Sequence, residues 1–353
     1  MRNPLLFALP IIAVAPWLLP PFYVTLANYV ALASIVVLGL ILLGGAGGLM
    51  SFGQAAFVGI GAYATGYLTL NYGASPWLAL LVGLAVTAAM ALLLGVLTLR
   101  LTGHYLPIGT LAWGISFYYV FANLPGFGGH DGLSGIPAIS AFGYDLDGKT
   151  TFFYLNWVVV VLAMVSISNI LDSRIGRAIR SGGRATPMAE AMGVNTTGVG
   201  LTIFIFSALL ACLSGWLYAH FLHFVNPTAF NLTISIEYFF MAVIGGLSSI
   251  WGAIIGAAFY IDSKQWLQTL IPALTGRVGH FDVIIFGFVI MFMLHYARQG
   301  LAPSILGLFG KRAHFHHSVV ETERLPQHLQ MNILVLDQGG DAIAVNRNLS
   351  SDS

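Results

Sequence analysis

Few side chains in this sequence could do chemistry, and most of them sit inside apolar runs. Glu237, in SIEYFFMAVIGGLSSIWG, is read as the carboxylate placed well inside such a run rather than at its end. An ionisable group surrounded by lipid is costly and marks a functional position by default. Its place near the outer end of a short run also allows a plain interfacial glutamate held by water or backbone. Downstream, Gly245-Gly246 and Gly252 read as a tight turn or a helix break lining a cavity. A second group lies in SFGQAAFVGIGAYATGYL. There the polar Ser51, Gln54 and Tyr63 share a segment with Gly53, Gly59 and Gly61 and several alanines. Small residues let helix backbones approach closely, and polar ones avoid lipid. The stripe therefore reads as a helix-packing surface, as the lining of a translocation path, or as both.

A third group is the polar stretch DSRIGRAIRSGGRATPMAEAMGVNT. Arg174, Arg177, Arg180 and Arg184 would fix its side of a membrane. They do not explain Ala189-Glu190-Ala191-Met192-Gly193, which reads as a short helix closed by Gly193. Such an element suits the receipt of mechanical force from a soluble ATPase. The histidines form no site by spacing. His220 and His223 stand three apart without a carboxylate neighbour and read as interfacial, while His314, His316 and His317 could hold a metal only adventitiously. Cys212 is the single cysteine, which excludes a disulfide framework and a Cys-based metal site. Neither a phosphate loop nor a GxSxG hydrolase elbow is read in the chain. No catalytic residue, metal site or ATP hydrolysis is therefore expected here.

The elements that hold these residues follow from composition. Of 353 residues 58% are hydrophobic and 8% charged, mean hydropathy is +0.85, and no Asp, Glu, Lys or Arg occurs between Arg2 and Arg100. A water-exposed surface needs about a quarter of the residues charged. A lipid solvent selects against them at roughly 2.5–3.5 kcal/mol per buried charge. Runs this continuously apolar exclude a β-barrel, whose strands alternate. The prediction is an all-α polytopic membrane protein with about ten spans of roughly 20 residues. They are placed near 5–22 (an uncleaved first span), 29–46, 50–70, 77–99, 104–124, 152–171, 199–221, 232–247, 249–267 and 281–297. The membrane domain is 1–297, the arginine-rich loop 172–198, and 298–353 a polar tail. With that loop cytoplasmic, all but Lys149, Lys264 and Arg277 of the fourteen basic residues lie inside. The loop 125–151, with Asp131, Asp145 and Asp147, then lies outside. A net charge of +1 argues against nucleic acid.

Four motifs in order, SFGQAAFVGIGAYATGYL, HDGLSGIP, GRAIR…AEAMGV and SIEYFFMAVIGGLSSIWGAIIGAA, resemble branched-chain amino-acid ABC permeases of the LivM type, over about residues 30 to 297. The resemblance implies an ABC importer permease in a bacterial inner membrane. Its partners would be a second, unlike permease, two cytoplasmic ATPases that hold ATP and magnesium, and a periplasmic binding protein. This chain would bind no cofactor itself. Gly176, Arg177, Ala178, Arg180, Ala189, Glu190, Ala191, Met192 and Gly193 would dock on the ATPase, although SGGRATP, with Pro187, departs from the family pattern between them. Ser51, Gly53, Gln54, Gly59, Gly61, Tyr63, Glu237, Gly245 and Gly246 would lie along the path. Leucine, isoleucine and valine are the implied cargo; urea, short amides and other small polar solutes fit the same pattern. An ion-coupled secondary transporter is the rival reading and would depend on Glu237. A membrane-embedded enzyme would need a converging His, Asp or Glu cluster that the spans lack. LVLDQGGDAIAVNRNLS in the tail faintly resembles the opening strands of an ABC ATPase, as a fusion remnant or a chance match would.

Overall fold

The computed structural model describes residues 16–18, 20–99, 105–141, 144–146, 148–182, 190, 191, 193, 195–275, 287, 288, 300–302, 335, 336, 342 and 343. The chain divides into two compact units, Met1–His314 and Phe315–Ser353. In the second, Val335–Leu336 pairs with Ala342–Ile343 as an antiparallel hairpin.

In the first unit the apolar runs become helices. These are α1 (Pro21–Leu40, continued by a π-helical turn, Ile41–Ala46), α2 (Gln54–Tyr72), α3 (Pro76–Thr98) and α4 (Tyr105–Asn123), then α5 (Lys149–Asp172), α6 (Arg174–Gly182), α7 (Thr196–Leu222), α8 (Leu232–Gly245) and α9 (Gly252–Thr275). Among the described residues, Pro21–Ala46, α3, α5 and α7 are long and apolar enough to cross a membrane, and α8 is a shorter apolar helix. Their ends obey local chemistry. Ser75 accepts the Leu78 N–H at 3.3 Å with Pro76 opening α3, and Asn195 and Asn231 cap α7 and α8 in the same way.

α2 is buried along most of its length, while α3 and α4 each leave an apolar face exposed. The central contact is between α2 and α7. A side chain at Gly61 would overlap the Cys212 carbonyl, and one at Gly215 would overlap the Val58 carbonyl. In lipid, where burial gives helices no preference for each other, such backbone approach is what holds them together. Polar cross-links add to it: Ser214 Oγ donates to the Leu32 carbonyl at 2.8 Å, and Asn156 Nδ2 donates to Asn28 Oδ1 at 2.9 Å. Each is worth about 0.6 kcal/mol in a membrane interior. α8 and α9 form a helical hairpin of equal intimacy, with Gly245 against the Gly252 carbonyl and Gly256 against the Met241 carbonyl.

The stretch after α4 folds back over one end of the bundle. Leu133–Ser134 (β1) pairs antiparallel with Phe224–Val225, and Ser140–Ala141 (β2) pairs with Tyr144–Asp145 (β3). Gly135 and Ile136 both donate their N–H to the His223 carbonyl, at 3.0 and 3.3 Å. The Nδ1 atoms of His220 and His223 lie 2.7 Å from the carbonyls of Pro137 and Ile136, and Trp77 Nε1 donates to the Ser140 carbonyl at 3.0 Å. These histidines, expected to be merely interfacial, thus clamp a loop that lies some 80 residues earlier in the chain.

One span expectation needs correction. The segment 249–267 was expected to be a short span with Lys264 close to its outer end, but α9 runs 24 residues, Gly252–Thr275, and puts Lys264 at mid-helix. The expected spans 5–22 and 281–297 fall almost wholly outside the described residues.

Candidate functional site

α2 does not continue from the helix before it. After the π-turn the chain runs irregularly from Gly47 to Gly53, and α2 begins at Gln54. The first N–H groups of any helix lack partners within it. Side chains from three other helices converge here. Phe52 N–H donates to Thr110 Oγ1 of α4 at 3.0 Å, and Ala55 N–H donates to Ser235 Oγ of α8 at 3.1 Å. Gln54 Nε2 donates to Ser207 Oγ of α7 at 3.1 Å. Ser51 Oγ is a more distant acceptor for Gly53 N–H, at 3.4 Å. Gln54 is fully buried, and its Oε1 has no hydrogen-bond partner among the described residues. A crevice of about 10 Å³, room for about one water, adjoins this point, lined by Ser51, Gly53, Phe57, Thr98, Thr110 and Trp113 among others.

Further along α2, Tyr63 stacks against Phe121 and Phe127, with ring centroids at 4.8 and 5.0 Å. Gly59 leaves room for the Phe121 ring, and Gly61 meets α7. Of the expected path residues, the fold therefore gathers Ser51, Gly53 and Gln54 at the start of α2. Gly59 and Tyr63 lie in an aromatic cluster. Gly245 and Gly246 end α8, where they meet α9 and Gly300.

The arginine-rich loop contains a helix that its charge concealed. α6 follows α5 directly, and a side chain at Gly176 would overlap the Leu171 carbonyl. Ile179 is buried, while Arg174 and Arg177 are exposed and Ala178 is partly covered. Arg177 Nη1 reaches the Asp172 carbonyl at 3.4 Å. α6 lies against α5, α7 and the π-turn. The Gly176/Ile179 spacing, three residues apart on the buried face, is the sequence signal for this helix. Beyond it, Glu190 and Ala191 are exposed, and Glu190 Oε1 accepts from Thr196 Oγ1. Gly193 takes φ +82°, and its N–H donates to the Glu190 carbonyl at 2.9 Å, closing the turn. The Arg180 side chain, Ala189 and Met192 lie outside the described residues. From the π-turn the contacts continue: Gly45 sits against the Leu247 carbonyl in the turn between α8 and α9.

Glu237 has a partner that the sequence reading placed elsewhere. Lys264 Nζ of α9 donates to Glu237 Oε1 at 2.5 Å and lies 5.9 Å from the Tyr260 ring centroid. The expectation of water or backbone as its partner is corrected to an ion pair. Lys264 was missed because the expected span, ending near 267, put it close to the outer end and counted it as outside.

The reading that the chain holds no phosphate-loop pattern also needs correction. Gly143 to Thr150, GYDLDGKT, satisfies GxxxxGK[ST] in letters. A phosphate loop joins a strand to a helix whose N–H groups cradle an anion. Here Tyr144–Asp145 belongs to a two-residue antiparallel hairpin, Lys149 opens an apolar 24-residue helix, and Asp145 and Asp147 add like charge to any phosphate. The spacing is present without its context.

Comparison with known proteins gives a consistent result. A family profile described as branched-chain amino acid transport system / permease component matches residues 22–294. The high-affinity branched-chain amino acid transport system permease protein LivM of Salmonella typhimurium is 30% identical over 323 residues, covering 84% of this chain and 74% of the relative. The corresponding LivH protein of Escherichia coli is 35% identical over 108 residues, covering 30% and 35%. The fructose import permease protein FrcC of Rhizobium meliloti is 27% identical over 201 residues, covering 54% and 56%. No solved structure matches.

Proposed function

This chain belongs to the family of permease components of branched-chain amino acid transport systems, and from that footing we propose that it is one half of a permease pair in an ATP-driven importer. The match across residues 22–294 carries the reading. Similarity to both LivM and LivH proteins supports two unlike permeases side by side. The setting is a bacterial inner membrane, with a periplasmic binding protein delivering cargo and two cytoplasmic ATPases holding ATP and magnesium.

α6 and the Glu190–Gly193 turn are the elements suited to dock on an ATPase, being exposed, polar and seated on the bundle. A push on α6 is felt at the π-turn, and from there at the irregular start of α2 and at the turn after α8. Both lie beside buried polar groups, so ATP-driven closure below would switch a path near Ser51, Gly53 and Gln54 from outward- to inward-facing. Branched-chain amino acids are the cargo by family. The likeness to a fructose permease favours a second candidate class, small neutral polar solutes such as sugars, urea or short amides.

Affinity purification of the tagged chain from gently solubilised native membranes, followed by mass spectrometry, tests the assembly. A second permease and one or two soluble ATPases should co-purify. Recovery of this chain alone, with uptake persisting in vesicles that lack an ATPase, sinks the importer in favour of a secondary transporter. Competition of labelled leucine uptake by isoleucine, valine, fructose and urea separates the cargo classes.

A further inference from the structure

A cleft of about 340 Å³ opens between α1, α7, α8 and α9, at the lower end of the scale of small-ligand sites. The Glu237–Lys264 pair stands in its wall, and the two side chains keep 13% and 27% of their surface exposed. Tyr29, Tyr238 and Gln268 add polar groups to the lining, and Leu26, Met241 and Ile261 add alkyl surface. We propose that this cleft binds a small zwitterion, its ammonium group on Glu237 and its anionic group on Lys264.

The argument is one of charge balance in a medium that solvates charge poorly. A lone cation or anion entering this cleft would leave one member of the pair with a competitor and the site with net charge. A zwitterion brings both signs together and adds none. Capacity remains for it on both sides: a carboxylate offers two oxygens and an ammonium three donors, and the contact between them uses Oε1 and one N–H. The result is a closed ring of four alternating charges, with Leu26, Met241 and Ile261 facing the ligand's apolar remainder. Two sources carry this chemistry, a free α-amino acid and the phosphoethanolamine headgroup of a lipid. The first rests on the reading of the chain as an amino-acid permease; the second does not.

The test uses the full chain in phosphatidylglycerol nanodiscs with leucine, leucinamide (cation only) and N-acetylleucine (anion only) as probes. Native mass spectrometry of the chain from mixed membranes reads retained phosphatidylethanolamine against phosphatidylglycerol. The variants are Glu237→Gln, Lys264→Gln and the double substitution, which carries no unpaired charge and keeps the fold testable where a single change does not. Wild type should bind leucine and neither analogue, with affinity lowered roughly tenfold or more in the variants. Selective retention of phosphatidylethanolamine by wild type, lost in the variants, supports the site with the lipid as its ligand. Leucine binding or phosphatidylethanolamine retention that is unchanged in the double variant, or the absence of both in wild type, overturns the proposal. Co-purification of partner subunits is intact when only the cleft assignment fails and absent when the importer reading fails.

Discussion

Gly61 and the Cys212 carbonyl leave no room between α2 and α7 for even a methyl group. Gly61→Ala must push the two helices apart, and overpacking of this kind costs about 1–3 kcal/mol. The expected outcome is a lower melting temperature by size-exclusion chromatography of heated, detergent-solubilised protein. Gly135→Ala is a useful contrast: nothing crowds that position, and only its φ of +81° resists substitution. Gln54 separates packing from function. Its Oε1 is buried without a partner, so Gln54→Leu removes an unsatisfied oxygen together with one hydrogen bond, and the change in stability should stay within about 1 kcal/mol. Transport, if the start of α2 lines the path, should fall at least severalfold in an uptake assay. Unchanged uptake in Gln54→Leu would make this cluster a packing device alone.

At the scale of elements, α6 is the piece whose role can be broken without unfolding the bundle. Arg177→Ala and Glu190→Ala lie on exposed positions, so both proteins should fold normally yet lose stimulation of the partner ATPase. Gly176→Leu should have the same effect by a different route, lifting α6 off the Leu171 carbonyl. If ATP hydrolysis in reconstituted complexes is unaffected in all three, the loop serves only to set topology. The helix cores were legible in the sequence because a lipid solvent writes them as long apolar runs: 77–99 was expected and Pro76–Thr98 is found. Other features were not legible, for stated physical reasons. α6 is short and charged, so its three arginines masked the one buried apolar side chain, Ile179. The π-turn at Ile41–Ala46 changes hydrogen-bond register without changing hydropathy. Lys264 reads as an outside residue at a span end unless its partner is known, because a lysine deep inside a span is affordable only when paired. His220 and His223 bind backbone carbonyls, which every residue has and no sequence pattern reveals.

For the whole molecule, the positive-inside argument makes opposite predictions for the two ends of the bundle. Cys212 is fully buried, so native background labelling should be low. A cysteine replacing Arg177 should react with a membrane-impermeant maleimide only from the cytoplasmic side, and one replacing His130 only from the periplasmic side. Labelling of both from the same side of sealed vesicles would invert or break the assigned topology. The clamp over the far end has a consequence for biogenesis. β1 finds its partner strand only at Phe224–Val225, and the carbonyls of Ile136 and Pro137 meet their histidines only at His220 and His223. The ribosome makes the loop well before it makes what fastens it. On the proposed topology the loop must cross the membrane during synthesis and wait, unfastened, while α5, α6 and the whole of α7 are threaded behind it. Closure is thus a late checkpoint. A nascent chain arrested before residue 220 should expose this loop to periplasmic protease, and one released a few turns later should not.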